Sequence, residues 1–70
     1  MATELQIIVN GEGRQIPEGA TVEDLLRTLA LPLGRVAIER NLEILPRPQW
    51  AVTRIASSDR YEIVHFVGGG

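Results

Sequence analysis

The chain has 70 residues, of which 44% are hydrophobic and 23% charged, with a net charge of −2; this is the composition of one folded domain, and a chain so short buries only about 60% of its unfolded surface, which excludes a large internal active site. Cysteine is absent, so disulfides, thiolate metal sites and thiol nucleophiles are excluded. The seven positive charges are all arginine, spread from Arg14 to Arg60 without a basic block, which argues against nucleic-acid binding.

Leu5, Ile7 and Val9 alternate at period two and predict a first strand over residues 5–9. Asn10-Gly11-Glu12-Gly13 carries hairpin-turn chemistry, and Arg14 to Ile16 reads as a short returning strand. Thr21 is placed to cap a helix, with Glu23 and Asp24 complementing the dipole in its first turn. Val22, Leu25, Leu26 and Leu29 form one apolar stripe at helical spacing. Pro32 disfavours helical geometry at Leu31, and Gly34 permits a left-handed turn there. Val36-Ala37-Ile38 resumes as a strand, and Leu42 to Leu45 forms a short piece that Pro46 and Pro48 confine to an edge or an end. Gln49 to Val52 predicts a brief turn of helix, and Ser57-Ser58-Asp59 a turn. Tyr61 to Val67 is the longest strand candidate; apolar residues on both of its faces predict a central strand with its second face partly covered.

The predicted order is β, β, α, β, short β, β. A hairpin followed by a helix packed across a mixed sheet of four to five strands is the ubiquitin-like β-grasp arrangement, an α+β fold. The strand after the helix and the last strand are expected beside the first. The expected core is Leu5, Ile7, Val9, Val22, Leu25, Leu26, Leu29, Val36, Ile38, Ile55, Ile63 and part of Val64 to Val67. The domain is expected to span residues 1–67, with residues 68–70 a flexible glycine tail. No signal-peptide pattern or membrane-length apolar run is present, so the expectation is a soluble cytoplasmic protein without a membrane partner.

Few side chains suggest chemistry. His65 is the sole histidine and has no cysteine or second histidine to share a metal, so it reads as a partly buried strand residue rather than a ligand or contact. Glu39, Glu43, Asp59 and Glu62 are scattered over turns and strand ends and read as solvated surface, not an acid/base pair. Ser57 and Ser58 lack a nearby histidine, and turn chemistry explains them. Gly11 and Gly13 lack the further glycine and helix start of a phosphate loop. Trp50 reads as a lid on one end of a small core, or as a partner contact. Phe66 and Val67 offer a docking patch beside the terminal glycines. Gly68, Gly69 and Gly70 are either a frayed end or a slender reagent able to thread a narrow channel. With no catalytic constellation elsewhere, the reactive group left is the Gly70 carboxylate.

Ile63-Val64-His65-Phe66-Val67-Gly68-Gly69-Gly70 resembles the C-terminal signature of the ThiS-type sulfur carriers of thiamine biosynthesis, a β-grasp family. Asn41, Ile44, Pro46 and Trp50 agree with that pattern, and the resemblance covers essentially the whole chain. Ser58-Asp59 departs from the Gly-Asp frequent in the family, and a modest change of turn geometry is expected there. The resemblance implies a protein cosubstrate and not an enzyme. A ThiF-like adenylyltransferase, using ATP and magnesium, would convert the Gly70 carboxylate to an acyl-adenylate. Sulfur supplied through a cysteine desulfurase would replace AMP, leaving a C-terminal thiocarboxylate (1-thioglycine) for thiazole synthase, ThiG. Gly68 and Gly69 would provide reach, and Phe66 and Val67 partner contact; no bound cofactor or metal is implied. The alternatives are a ubiquitin-like carrier of another pathway, such as the small subunit of molybdopterin synthase, or a protein modifier.

Overall fold

The computed structural model of the protein describes residues 3–66. Strand β1, Glu4–Val9, turns through Asn10 and Gly11 into β2, Glu12–Pro17. Both turn residues have positive φ, 50° and 83°, the mirror-image turn whose twist matches a two-residue hairpin and which asparagine and glycine tolerate best. The returning strand thus starts two residues earlier than Arg14.

Helix α1, Val22–Thr28, opens on a capping box in which the Thr21 hydroxyl accepts from the Asp24 N–H at 3.2 Å and the Asp24 carboxylate from the Thr21 N–H at 3.0 Å. Two more N–H groups of the helix start, those of Val22 and Glu23, donate to the carbonyls of Thr53 and Trp50. The 50–55 loop therefore seals the helix entrance that a free end would leave to water. Its far end is closed by Ala30 at φ 58°, and Gly34, expected to supply the left-handed residue, instead lies in a 3-10 turn over Leu33–Arg35. The chain reverses directly at the helix end, where the Ala30 N–H bonds to the Arg27 carbonyl and the Leu31 N–H to Leu26, so the strain falls on Ala30.

Strand β3, Val36–Arg40, hairpins through Asn41 and Leu42 into β4, Glu43–Ile44, and a second 3-10 turn follows at Arg47–Gln49, two residues before the expected helical turn. Strand β5, Arg60–His65, completes a five-stranded mixed sheet in the order β2-β1-β5-β3-β4. Strands β1 and β5 are parallel, and β5 and β3 antiparallel. Of β3 and β5, only β5 lies beside β1. The strand after the helix, expected there too, pairs on the outer side of β5, which is the middle strand of the five.

Helix and sheet enclose Ile7, Val9, Ile16, Val22, Leu25, Leu26, Val36, Ile38, Trp50, Ile55, Tyr61 and Ile63. Trp50 is buried, and its indole N–H donates to the Leu45 carbonyl at 2.9 Å, so it closes one end of the core and is not a surface contact. The contribution expected from Val64 and Phe66 is absent: they are 57% and 53% exposed. Strand alternation assigns Tyr61 and Ile63 to the helix side and turns Glu62 and Val64 to a face that no described element covers.

Ser58 keeps the tight turn before β5 by adopting φ 70°, the left-handed region where a side chain costs about 1–2 kcal/mol and glycine nothing. Its N–H donates to the Gln6 carbonyl at 2.7 Å, which holds that conformation in place. Ser58→Gly relieves the strain but enlarges the freedom of the unfolded chain, for a net gain of about 0.5–1 kcal/mol. Thermal unfolding checks this, with a rise of roughly 3–6 °C expected for a domain of this size.

Candidate functional site

The C-terminal end of β5 is where the fold presents the segment leading to the glycines. Its pairing with β1 runs through Ile8↔Arg60 and Val9↔Tyr61, and the Asn10 N–H donates to the Tyr61 carbonyl at 2.8 Å. There β1 turns away into its hairpin. The Asn10 side chain takes the place of the missing strand: its Oδ1 accepts from the Ile63 N–H at 2.8 Å and its Nδ2 donates to the Ile63 carbonyl at 3.2 Å. Sequence analysis saw Asn10 only as a turn residue. Its second role joins positions 53 apart and leaves no local pattern.

On the other edge β5 stays paired with β3 as far as Val36↔His65, and the Phe66 N–H donates to the Arg35 carbonyl at 2.7 Å. The strand is thus held firmly to Phe66. His65, expected to be partly buried, is exposed at the strand's end, beyond the reach of the helix. Phe66 is exposed next to it. Val67, Gly68, Gly69 and Gly70 lie outside the described residues, as does the expected division into a domain of residues 1–67 and a tail.

At the opposite end of β5 lies a polar cluster. Asp59, expected on solvated surface, is only 5% exposed. Its Oδ2 accepts from the Ala56 N–H (2.9 Å), Arg40 Nε (3.0 Å) and the Tyr61 hydroxyl (2.8 Å), and lies 3.0 Å from Arg40 Nη2. Its Oδ1 accepts from Asn41 Nδ2 at 3.1 Å. Burial alone would raise the Asp59 pKa, but these donors outweigh it and hold the carboxyl below its ordinary 3.8. Burial and the hydrogen bond to Asp59 push the Tyr61 hydroxyl well above its usual range. Asn41 also accepts from the Arg60 N–H through Oδ1, at 2.9 Å. The cluster ties the β3–β4 turn to the turn before β5. Its charges are satisfied internally by these hydrogen bonds and the ion pair, so its work is structural. The one available sequence sign was the fixed spacing of Asp59 and Tyr61 at the start of a strand.

Of the other acidic residues, Glu39 and Glu62 are cross-strand partners on β3 and β5, and Glu43 lies opposite Arg40. Among the described residues no group of three or more His, Cys, Asp or Glu side chains is placed to hold a metal ion. No helix among them is long and apolar enough to cross a membrane. Ser57 and Ser58 lie in the turn before β5, away from His65 at the strand's other end.

The fold and the chain's similarities agree. The family model described as the ThiS family matches residues 6–70, through the final glycine. A thiazole synthase of Paramagnetospirillum magneticum is 42% identical over 66 residues, covering 94% of this chain and 20% of that protein, so the chain spans about a fifth of that relative's length. The sulfur carrier protein ThiS of Escherichia coli is 32% identical over 66 residues, covering 94% of this chain and 100% of that one. The crystal structure of the thiamine biosynthesis protein ThiS from Geobacter metallireducens superposes with a TM-score of 0.76 at 31% identity, covering 94% of this chain and 100% of that one. With a ubiquitin-like sheet-and-helix fold and a match over nearly its whole length, the chain belongs to the ThiS family.

Proposed function

We propose that the protein is a sulfur carrier of thiamine biosynthesis that acts as a cosubstrate through the Gly70 carboxylate. The observation that carries this reading is the family match running through Gly70, supported by full-length similarity to a protein named as a sulfur carrier. A carboxylate is a poor electrophile because its leaving group would be oxide. Transfer of AMP from ATP to the Gly70 carboxylate, with release of pyrophosphate, supplies a good one. Attack by the terminal sulfur of a protein persulfide forms the C–S bond and breaks the C–O bond to AMP, and a thiol then cleaves the resulting acyl disulfide, leaving the thiocarboxylate and a disulfide. A ThiF-like adenylyltransferase carries out the first step and uses the ATP and magnesium, and a cysteine desulfurase is the source of the sulfur.

The acceptor is thiazole synthase. A fifth of each of two proteins named thiazole synthase is similar to 94% of this chain, which favours thiamine over molybdopterin or protein modification. Gly68 and Gly69 offer no side chains to obstruct a channel, while Phe66, exposed at the end of β5, is placed to touch a partner that grips the terminus, and Val67 follows it in sequence.

Incubation with the adenylyltransferase, ATP, magnesium and a sulfur donor tests the reading by intact-mass spectrometry. The expected product is heavier by the difference between one sulfur and one oxygen, located at Gly70 by fragmentation, and addition of thiazole synthase discharges it. An unchanged mass under conditions that charge another ThiS protein refutes the carrier, and discharge only onto a molybdopterin precursor moves it to the other pathway.

A further inference from the structure

We propose that the open face of β3, β4 and β5 receives an arginine side chain of a partner protein, held between Glu39 and Glu62 and flanked by Ile44 and Val64. This deepens the carrier reading, on which it rests, by giving the chemistry with which a partner enzyme grips the folded body.

Glu39 and Glu62 are direct cross-strand partners. The Asn41 N–H bonds to the Arg60 carbonyl and the Phe66 N–H to the Arg35 carbonyl. The alternation between these two bonds makes Glu39 and Glu62 a hydrogen-bonded pair, with Cα atoms about 5.5 Å apart. Like charges opposite one another destabilise a sheet. Neither is relieved by an ion pair: those among the described residues are Arg27–Glu23 and Arg40–Asp59. Arg60, two positions before Glu62 and on the same face, forms none with either.

The pair lines a shallow hollow whose other walls are apolar: Ala37, Ile38, Ile44 and Val64. Ile44 is 77% exposed, beside Glu39 on the edge strand. This mixture dictates the occupant. A purely apolar partner surface would desolvate two facing carboxylates without compensation, and an acidic one would add repulsion. A cation between the carboxylates cancels the repulsion, and exclusion of water by the apolar walls strengthens the attraction. Guanidinium fits better than ammonium, because its planar fork donates to two carboxylates at once while its weakly hydrated faces lie against aliphatic side chains.

The experiment compares wild type, Glu39→Gln, Glu62→Gln and the double variant, with Glu18→Gln as a control for net charge. Binding to the ThiF-like adenylyltransferase is titrated calorimetrically at low and high salt, and charging is followed by mass. Each glutamine is expected to keep or raise the melting temperature, because it removes repulsion, and to weaken binding about tenfold with a shallower salt dependence. Unfolding of the variants cannot mimic stability and affinity moving in opposite directions. Unchanged affinity in a double variant that is still charged overturns the proposal and leaves the carrier standing, whereas a wild type that neither binds nor charges removes both. A wild-type dimer in sedimentation that the double variant abolishes also overturns it, assigning the face to a second copy of this chain.

Discussion

Replacement of Asp59 by alanine is expected to lower the unfolding free energy by about 3 kcal/mol, the largest stability loss from any single polar side chain in the fold. The carboxylate is 5% exposed and accepts from a backbone N–H, a guanidinium, an amide and a phenol. Alanine leaves all of them facing a gap. Breaking a buried ion pair from one side costs about 3–5 kcal/mol, and each neutral donor left unsatisfied adds about 1–3 kcal/mol. The Arg40 side chain is 30% exposed, so its guanidinium recovers part of its hydration, and the estimate stays at the lower end. A domain of this length has roughly 4–10 kcal/mol in total, so the loss is visible as a fall of more than about 10 °C in melting temperature. Asp59→Asn is expected to lose nearly as much, since one carboxylate oxygen becomes a donor pointed at other donors. A melting temperature within a few degrees of wild type in both variants would refute this account of the cluster.

The same carboxylate has a pH signature. Its folded pKa lies below the ordinary 3.8, so the unfolded chain binds a proton at higher pH than the folded one. The contribution is complete above the unfolded pKa of about 4 and lost as pH falls through the lower folded value. The stability gap between wild type and Asp59→Ala is therefore constant near neutrality and closes below about pH 4. Asp24, also lowered by its hydrogen bonds with Thr21, is common to both proteins and cancels. Urea unfolding from neutral pH downward measures the gap.

Deletion of Gly70 is expected to abolish the sulfur-for-oxygen mass gain while leaving the melting temperature unchanged. The chemical loss is total and not a weakening, because the shortened chain offers its carboxylate one residue too far back; misplacement by a single residue exceeds the tolerance of about an ångström within which positioned reactants retain their advantage. The fold should not notice. Among the described residues the last tie of β5 on one edge is the Asn10 amide at Ile63, and on the other the Phe66 N–H at Arg35, and both precede the deletion. Gly69→Ala tests the channel separately, adding one methyl to the path and lowering the charging rate without removing the end point. Full charging of the deletion would exclude Gly70 as the acceptor, and a large fall in melting temperature would show that the glycines support the fold.

Local patterns predicted most of the architecture because local physics causes them. The Asn10-Gly11 turn, the Thr21 cap, the helix stripe and the proline-limited edge strand each follow from spacings within a few residues. The errors share a different cause. Asp59 was assigned to the surface because a charged residue beside two serines reads as a turn, whereas its burial depends on Arg40 and Asn41, nearly twenty residues earlier. Val64 and Phe66 were partly assigned to the core because apolarity marks what a strand can bury, and not whether anything covers it. The placement of β3 beside β1 failed for a related reason: pairing order is settled by which strands close the sheet over the helix, and no residue within β3 encodes its neighbour.

The terminal glycines and the absence of cysteine were legible without coordinates, because they concern what the chain contains. The helix face and hairpin were legible because their periodicities are short. Tertiary structure alone decided that β3 lies beyond β5 from β1, that Asn10 substitutes for a strand at Ile63, that Asp59 is buried, and that Glu39 faces Glu62 on an uncovered apolar surface. Each of these joins residues about twenty to fifty positions apart, where chain connectivity imposes no spacing and only packing of the whole sheet on the helix selects the pair.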